Sequence, residues 1–108
     1  LDRIAKRAGM GLARMGSYAG NGSGDIFVAF STANNSALSG AARTNAQVIG
    51  NDQLDPLFEA TVQATEEAIV NAMVASRDMQ GHAGRYAKAI DHKALQRVLR
   101  EFRRMSSK

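Results

Sequence analysis

Apolar residues recur at helical spacing in the first segment of the chain, while basic residues fill the opposite face. The apolar stripe consists of Ile4, Ala8, Leu12 and Met15. This spacing predicts an amphipathic helix from Leu1 to Met15 that ends at Gly16, because residues three and four apart share a helix face. Gly9 and Gly11 lower the helix propensity by about 1 kcal/mol each relative to alanine. We expect close packing of these small residues against a sheet to offset that cost.

A second and longer apolar seam begins near Asp55. This residue can cap the free amides of the first turn, and Pro56 then takes the first helical position, where its missing N–H costs nothing. The seam consists of Phe58, Val62, Thr65, Ile69, Ala72 and Ser76, and the residues predicted to face away from it are Glu59, Gln63, Glu66 and Glu67. A third helix is predicted after the cap candidate Asp91. Its predicted inward residues are Leu95, Val98, Leu99 and Phe102.

Between the first two helices lies an apolar run with few polar positions. Residues 25–32 therefore predict a strand that is buried on both faces, and residues 43–50 suggest a second, shorter strand. A single buried strand cannot satisfy its own backbone hydrogen bonds, so strands from elsewhere must complete the sheet. The sequence thus predicts an α/β fold in which this chain completes a larger sheet. Residues 106–108 are predicted to be a disordered tail.

The composition narrows the classes of protein without choosing one. The 108 residues are 44% hydrophobic, which is enough for a core, and include no cysteine, so disulfides and thiolate metal sites are excluded. The two histidines, His82 and His92, are interpreted as surface residues, because a metal site needs three or four converging ligands. The apolar runs are too short to cross a bilayer and no secretory signal pattern opens the chain, so no membrane partner is expected.

The formal net charge of +4 is unevenly placed, with basic residues at both ends of the chain and acidic residues in the middle. The basic residues fall on the predicted outer faces of amphipathic helices, and aromatic residues for base stacking are scarce. A solvated face or contact with an acidic partner therefore explains the charge better than binding to nucleic acid does. A nucleic-acid module is kept as the third and weakest hypothesis, and no nucleic-acid partner is expected.

The stretch from Gly20 to Asp25 contains the candidate catalytic side chains of the sequence. Glycines at alternate positions describe a backbone that bends sharply or lets another chain come close. Ser23 and Asp25 stand two residues apart, and an extended backbone places such side chains on one face. A hydroxyl beside a carboxylate suits a hydrolytic site, although an ordinary turn has the same composition.

Two familiar kinds of site do not fit this stretch. A phosphate-binding loop follows a strand and opens a helix, whereas here a helix precedes the glycines and a strand follows them. A complete Ser-His-Asp triad needs a histidine near Ser23, and both histidines lie far along the chain. Ser23 therefore fits better as a helper that hydrogen-bonds another nucleophile or its oxyanion. Asp25 would orient that hydroxyl or hold a proton during turnover.

Several sequence blocks carry a resemblance to a known family. They read RAGMGLARMGS at positions 7–17, GNGSGDIFVAFSTAN at positions 20–34, and NDQLDPLFEA with ATEEAI at positions 51–60 and 64–69. These blocks resemble the DmpA/β-peptidyl aminopeptidase family of self-processing serine peptidases, which are also described as L-aminopeptidase/D-esterases. The resemblance covers residues 3–80 and fades over the last part of the chain.

The resemblance implies an α/β/β/α sandwich similar to that of N-terminal nucleophile hydrolases, completed by a partner chain. Residues 1–105 would be the C-terminal portion of this single hydrolase domain. Precursors in this family cut themselves into an α chain and a β chain, and the new N-terminal serine of the β chain is the nucleophile. The present sequence resembles the β chain just after that serine. By motif match, Ser23 takes the place of the family's second active-site serine. Asp25 takes the place of an acidic residue that is glutamate in some members.

On this basis we expect an aminopeptidase or amidase-esterase that releases N-terminal L-, D- or β-amino acyl residues through a serine acyl-enzyme, with this chain alone inactive. No cofactor and no metal are expected. The implied partners are the α chain of the same precursor, the upstream β-chain segment, a short peptide or aminoacyl amide or ester substrate, and further αβ units in a homo-oligomer. The expected compartment is the cytoplasm, with the periplasm as the alternative. The competing hypothesis is a non-catalytic interaction protein of the same fold that binds an acidic partner.

Overall fold

A computed structural model of the chain describes residues 1–34, 40 and 42–105. The described helices are α1 (Asp2–Arg14), α2 (Asp55–Ala75) and α3 (His92–Glu101), with single 3₁₀ turns at Asn51–Gln53 and His82–Gly84. The strands β1 (Met79–Gln80) and β2 (Tyr86–Ala87) follow α2 in sequence and pair antiparallel as a two-stranded sheet. The tail predicted at residues 106–108 lies outside the described residues.

The first compact unit runs from Leu1 to Glu67, and α1 approaches α2 closely within it. The point of approach is the buried Gly11, where a Cβ would lie 2.6 Å from Thr65 Cβ and 2.7 Å from the Val62 carbonyl oxygen. A side chain therefore does not fit at this position without movement of a helix. The prediction that this glycine packs against a sheet is wrong, because the backbone that comes close belongs to α2.

Phe58 is a buried aromatic side chain of this unit. The guanidinium carbon of Arg7 lies 4.0 Å from the centre of the Phe58 ring, and that of Arg3 lies 4.9 Å from it. Such cation–π contacts contribute about 0.5–1 kcal/mol at exposed sites. Arg3 also donates a hydrogen bond to Asn51 Oδ1 at 3.1 Å. Arg3 is exposed, as predicted for the basic face. The prediction is wrong for Arg7, which is half-buried because its long stem lets the guanidinium cover the ring.

The seam predicted for α2 is confirmed over most of its length. Phe58 is buried, and the half-buried members are Val62, Thr65, Ile69 and Ser76, while Ala72 is exposed. Glu66, in contrast, does not face away as predicted. Its Oε1 accepts a hydrogen bond from Arg14 Nε at 2.7 Å and so forms an ion pair with the last turn of α1. An opposite charge on α1 within reach of the carboxylate accounts for this difference.

Helix ends follow the local signals of the sequence. Gly16 ends α1 with a φ of 101°, and the Ser17 N–H bonds back to the Leu12 carbonyl at 3.3 Å, which is the Schellman arrangement. Asp91 caps α3 as predicted, since its carboxylate accepts hydrogen bonds from two N–H groups of the first turn at 2.9 and 3.0 Å. At α2 the prediction is wrong by one residue. The carbonyl before Asp55 accepts the first helical hydrogen bond, so Asp55 is the first helical residue and not the cap.

A second compact unit begins at Ala68 and contains the β1–β2 hairpin and α3. Asp78 stands directly before the hairpin and accepts hydrogen bonds from the Tyr86 hydroxyl and, at 2.8 Å, from the Ala89 N–H. The bond from Tyr86, and after it the bond from Ala89, lowers the pKa of Asp78 below its ordinary value. The same bond raises the pKa of Tyr86, because it favours the protonated phenol. One carboxylate thus ties the hairpin to the segment that follows it.

The apolar run at residues 25–32 does not form the predicted buried strand. It pairs with no strand among the described residues, and Ile26 and Phe30 are 87% and 83% exposed. Backbone partners for a strand must come from another strand, and the part of the chain that the structure describes supplies none to this run. The run is therefore an apolar segment that is exposed over most of its length and follows directly after the candidate site.

The second predicted strand, at residues 43–50, is also absent from the described residues. A side chain takes the place of a strand partner here. The amide of Asn34 donates from Nδ2 to the Gln47 carbonyl at 3.0 Å and accepts from the Gln47 N–H at 2.8 Å. One asparagine thus satisfies both backbone groups of Gln47, as a neighbouring strand would do.

The apolar face of α3 is only partly covered. Leu95 and Leu99 are half-buried, whereas Val98 and Phe102 are exposed. The prediction that all four residues point into a core is therefore wrong for Val98 and Phe102. The amphipathic spacing is present, but the described part of the chain does not place enough apolar surface against this face to bury it.

Candidate active site

A tight turn carries the candidate site. The Ser23 N–H donates to the Gly20 carbonyl at 2.8 Å and closes a turn over residues 20–23. This bond confirms the predicted sharp bend in the glycine-rich stretch. The turn follows the end of α1 and precedes the apolar run, so Ser23 lies between an ordered helix and a largely exposed segment.

Ser23 and Asp25 meet directly. The Ser23 hydroxyl donates a hydrogen bond to Asp25 Oδ2 at 2.8 Å, and both residues are exposed. The prediction that the two side chains share one side of the backbone is confirmed. An ionised carboxylate only accepts hydrogen bonds, so the hydroxyl proton of Ser23 must point at Asp25. The lone pairs of Ser23 Oγ are thereby left available to accept a hydrogen bond from a third group.

Space remains around the glycines that flank Ser23. A Cβ on Gly22 or Gly24 would meet nothing within 4 Å. Their lack of a side chain is therefore not required by contacts within the described residues. It leaves room for a further backbone or a substrate to come close to Ser23, which is the second use of glycine that the sequence suggested.

Other groups capable of chemistry do not join this site. Both histidines are exposed, as predicted, and within the described residues no group of three or more His, Cys, Asp and Glu side chains is arranged to hold a metal ion. In the same part of the chain, no helix is long and apolar enough to cross a membrane. Asp78, whose pKa is lowered, serves the hairpin instead. The chemistry available on the described residues therefore rests on the hydroxyl–carboxylate pair.

Sequence reasoning treated the residues before this turn only as a loop. The structure adds a backbone feature there, because Ala19 has a φ of 50° in the left-handed region that disfavours side chains. It also places the ring of Tyr18 beside Gly20, at 3.2 Å from the position that a Cβ would take. The Gly20–Asn21 dipeptide is a turn signal in the sequence, but nothing in the pattern indicated that the Tyr18 ring lies on this side of Gly20.

A serine hydroxyl that donates to a carboxylate on a glycine-rich turn suits the class of hydrolases, although an ordinary turn can hold the same pair. The comparisons with known proteins agree with this class. Residues 1–87 match the family model described as Peptidase family S58. The chain belongs to this family, which confirms the resemblance stated from the sequence.

Two curated relatives have the same description. The β-peptidyl aminopeptidase BapA of Sphingosinicella microcystinivorans is 45% identical over 99% of this chain. The β-peptidyl aminopeptidase BapA of Sphingosinicella xenopeptidilytica is 41% identical over 93% of this chain. The matched regions are 27% and 25% of those proteins, so the chain spans about a quarter of the length of each relative.

Two solved structures of related proteins superpose on this chain and show its fold. The PH0078 protein of Pyrococcus horikoshii OT3 superposes on 97% of this chain with a TM-score of 0.84 and 40% identity. The L-aminopeptidase D-Ala-esterase/amidase of Ochrobactrum anthropi superposes on 96% with a TM-score of 0.82 and 42% identity. The latter is described as a prototype for the serine aminopeptidases and a new variant among the Ntn hydrolase fold. Each match covers 30% of the solved chain. The predicted α/β class is thus confirmed, and this chain corresponds to part of such a fold.

Proposed function

We propose that this chain is part of an aminopeptidase that cleaves the bond after an N-terminal residue through a serine acyl-enzyme. The observation that carries the proposal is the 2.8 Å hydrogen bond from Ser23 to Asp25 in a chain that belongs to Peptidase family S58. The substrates proposed are short peptides and aminoacyl amides or esters with an L-, D- or β-amino acyl group. Membership of a peptidase family does not favour the alternative of a non-catalytic interaction protein.

The polarity of the Ser23–Asp25 bond defines the proposed role of Ser23. Because its proton is donated to Asp25, Ser23 Oγ acts as an acceptor toward any further partner. An acceptor suits the hydroxyl proton or the ammonium group of a nucleophilic N-terminal serine, whereas an oxyanion needs a donor. Of the two roles open to Ser23 from the sequence, the geometry therefore favours contact with the nucleophile over contact with the oxyanion.

The reaction then proceeds in two stages. A serine hydroxyl outside this chain attacks the substrate carbonyl and forms an ester, and its proton goes by way of a base to the leaving amine or alcohol. Water attacks the ester in the second stage, which releases the acyl residue and restores the serine. Ser23 holds the nucleophile in position in both stages, and Asp25 keeps the Ser23 proton directed away from it. The free amine of the nucleophilic serine is the proposed base.

The remaining groups are proposed to come from partners. These partners are the α chain of the same precursor and the β-chain segment upstream of Leu1, joined as αβ units that assemble further into a homo-oligomer. The largely exposed run after Asp25 supports a completing segment, since Ile26 and Phe30 have little cover in this chain. The intact mass of the freshly purified natural protein under denaturing conditions tests this part of the proposal. Two masses that sum to the precursor are expected, and a single uncut mass would contradict self-processing.

Substitution of Ser23 in the full natural protein tests the catalytic proposal. Ser23→Ala is expected to lower kcat by about 100-fold or more on aminoacyl p-nitroanilides, because the nucleophile loses its hydrogen-bond acceptor. Ser31→Ala is the matched control, since Ser31 is in the same segment and its Oγ accepts only a local bond from the Ala33 N–H at 3.2 Å among the described contacts. Equal turnover of the two variants would show that Ser23 has no part in catalysis.

A further inference from the structure

Two arginines of α1 lie against one aromatic ring of α2. The guanidinium carbon of Arg7 is 4.0 Å from the centre of the Phe58 ring, and that of Arg3 is 4.9 Å from it, so the two positive groups stand close together. Arg7 also donates from Nη1 to the Arg3 carbonyl at 3.1 Å, and Arg3 donates from Nη1 to Asn51 Oδ1 at 3.1 Å. These bonds and the buried ring hold both side chains at the start of α1.

Most hydrogen-bond donors of this pair have no acceptor among the described residues. A guanidinium carries five N–H groups, and the described hydrogen bonds of each arginine use Nη1 alone. In the same part of the chain, no carboxylate oxygen lies within 4.0 Å of a nitrogen of Arg3 or Arg7. Asp2, in the first turn of α1, binds Lys6 instead at 2.8 Å. Because like charges that stand close repel each other, an anion bound by both arginines would relieve the repulsion.

The chemistry of the pair favours a carboxylate as its ligand. The N–H groups of arginine form a rigid planar fork that matches a carboxylate, and arginine also stacks on aromatic rings. Since the described contacts already fix both side chains, binding costs little further side-chain entropy. A phosphate also fits such a fork, but Asp2 and Asp52, which neighbour the pair and its asparagine in the chain, offset much of the local positive charge. A singly charged ligand therefore suits the pair better than a doubly charged one.

We propose that Arg3 and Arg7 bind an aspartate or glutamate side chain of the α chain in the assembled protein. The net charge of +4 favours an acidic partner for this chain. The regions that it matches are only 27% and 25% of the two curated relatives, so most of such a protein lies outside the matched region. The inference rests on the part of the proposed function that supplies an α chain, and it names a surface on which that chain docks.

The pH dependence of stability in the full natural protein tests the ligand. Arg7→Met keeps an apolar stem but loses the contact of the cation with the ring, which raises the unfolding constant by about two- to fivefold at any pH. Loss of a hydrogen bond to a carboxylate adds about tenfold or more at neutral pH. The arginines would lower the pKa of the bound carboxylate, so its contribution is present above about pH 4 and is lost as acid protonates it. We therefore expect the cost of Arg7→Met in urea denaturation to fall as the solution is made acidic.

Lys6→Met is the matched comparison on the same helix. It also removes one positive charge, but Lys6 is paired with Asp2 and the two side chains are 70% and 78% exposed. We expect the unfolding constant to rise by at most about fivefold in this variant, because exposed ion pairs contribute little. A cost of Arg7→Met that does not change with pH, or that is no larger than the cost of Lys6→Met, would overturn the carboxylate ligand.

The acids of this chain near the pair are tested as alternative ligands. They lie at the start of α1, in the 3₁₀ turn that contains Asn51 and at the start of α2, and they are Asp2, Asp52, Asp55 and Glu59. The variants Asp2→Asn, Asp52→Asn, Asp55→Asn and Glu59→Gln should each leave the pH dependence of the Arg7→Met cost intact. If any one of them abolished it, the ligand would belong to this chain and the proposal would be wrong.

Carboxylate labelling of the full natural protein with a water-soluble carbodiimide and glycine ethyl ester identifies the source of the ligand. In the double variant Arg3→Met/Arg7→Met, we expect an acid of the α chain to gain label, because it loses the two groups that shield it. No gain of label, or a gain confined to the β chain, would overturn the α chain as the partner. Neither measurement requires hydrolysis. A protein without aminopeptidase activity would refute the proposed function, whereas a pH-dependent cost of Arg7→Met would still support the carboxylate site.

Discussion

Replacement of Gly11 by alanine would place a Cβ where α2 already stands. The new carbon would lie 2.6 Å from Thr65 Cβ and 2.7 Å from the Val62 carbonyl oxygen, whereas carbon atoms prefer separations of about 3.5–4.0 Å. Because one obstacle is backbone and the other is a Cβ, no rotamer change relieves the clash. The helices must separate by about an ångström, and overpacking of this kind costs about 1–3 kcal/mol. The higher helix propensity of alanine offsets about 1 kcal/mol, so a net loss of up to about 2 kcal/mol is expected.

Gly9 provides a control for this substitution within the same helix. A Cβ on Gly9 would lie 3.5 Å from Phe27 Cε2, which is an ordinary van der Waals distance. Gly9→Ala should therefore show only the gain in helix propensity and raise the free energy of unfolding by about 1 kcal/mol. The two variants have the same composition and change the same helix, so the helix propensity cancels between them. Their difference of about 1–3 kcal/mol in the free energy of unfolding isolates the approach of α2.

Urea denaturation of the full natural protein measures this difference. The transitions of both variants and of the unchanged protein are followed by far-UV circular dichroism, and equal slopes are required before midpoints are compared. The expected order of midpoints is Gly9→Ala, then the natural protein, then Gly11→Ala. If Gly11→Ala were as stable as Gly9→Ala, the close packing of α1 on α2 would be refuted.

Two further predictions concern the second unit. Arg103 has a φ of 54° after the end of α3, where the next N–H bonds to the Leu99 carbonyl at 2.7 Å, so Arg103→Gly should raise stability by about 1 kcal/mol. Arg100→Gly, within α3, should lower the stability by a similar amount in the same thermal melt. A lower melting temperature for Arg103→Gly than for Arg100→Gly would contradict the backbone strain inferred at Arg103. Asp78→Asn should lower the pKa of Tyr86 toward its ordinary value of about 10, as read from the ¹³C shift of the phenol carbon. The pKa of Asp78 is depressed, so its contribution to stability is present above about pH 4 and is lost as acid protonates it. The pKa of Tyr86 is raised, so its contribution is present below about pH 10 and is lost as base ionises it.

Local signals explain why the helices could be predicted from the sequence. Gly16 and Asp91 act on the few backbone groups next to them, so their roles follow from residue type and position alone. The spacing of apolar residues likewise located α2. The error at Asp55 is one residue, which is within the uncertainty of any helix boundary.

Contacts between distant residues could not be predicted in this way. The cover of Arg7 over Phe58 and the pairing of Asn34 with Gln47 join positions that no periodic pattern relates. The hairpin has strands of two residues each, which is too short for an alternating pattern to be visible. Arg103 occupies a conformation that sequence reasoning assigns to glycine, so its place at the end of α3 carried no signal.

The candidate site includes features that local sequence signals predict and features that they do not. The proximity of Ser23 and Asp25 follows from their separation by a single residue and was predicted. The turn that precedes them is closed by the bond from the Ser23 N–H to the Gly20 carbonyl. The direction of the hydrogen bond follows from the chemistry of the carboxylate and leaves Ser23 as an acceptor with no described partner for its lone pairs. The apolar run begins directly after Asp25 and is equally without a described strand partner. Under the proposed function, the segment that covers this run lies next to Ser23. The segment that completes the sheet would then also place the nucleophile beside Ser23. A chain with an incomplete sheet would therefore lack activity.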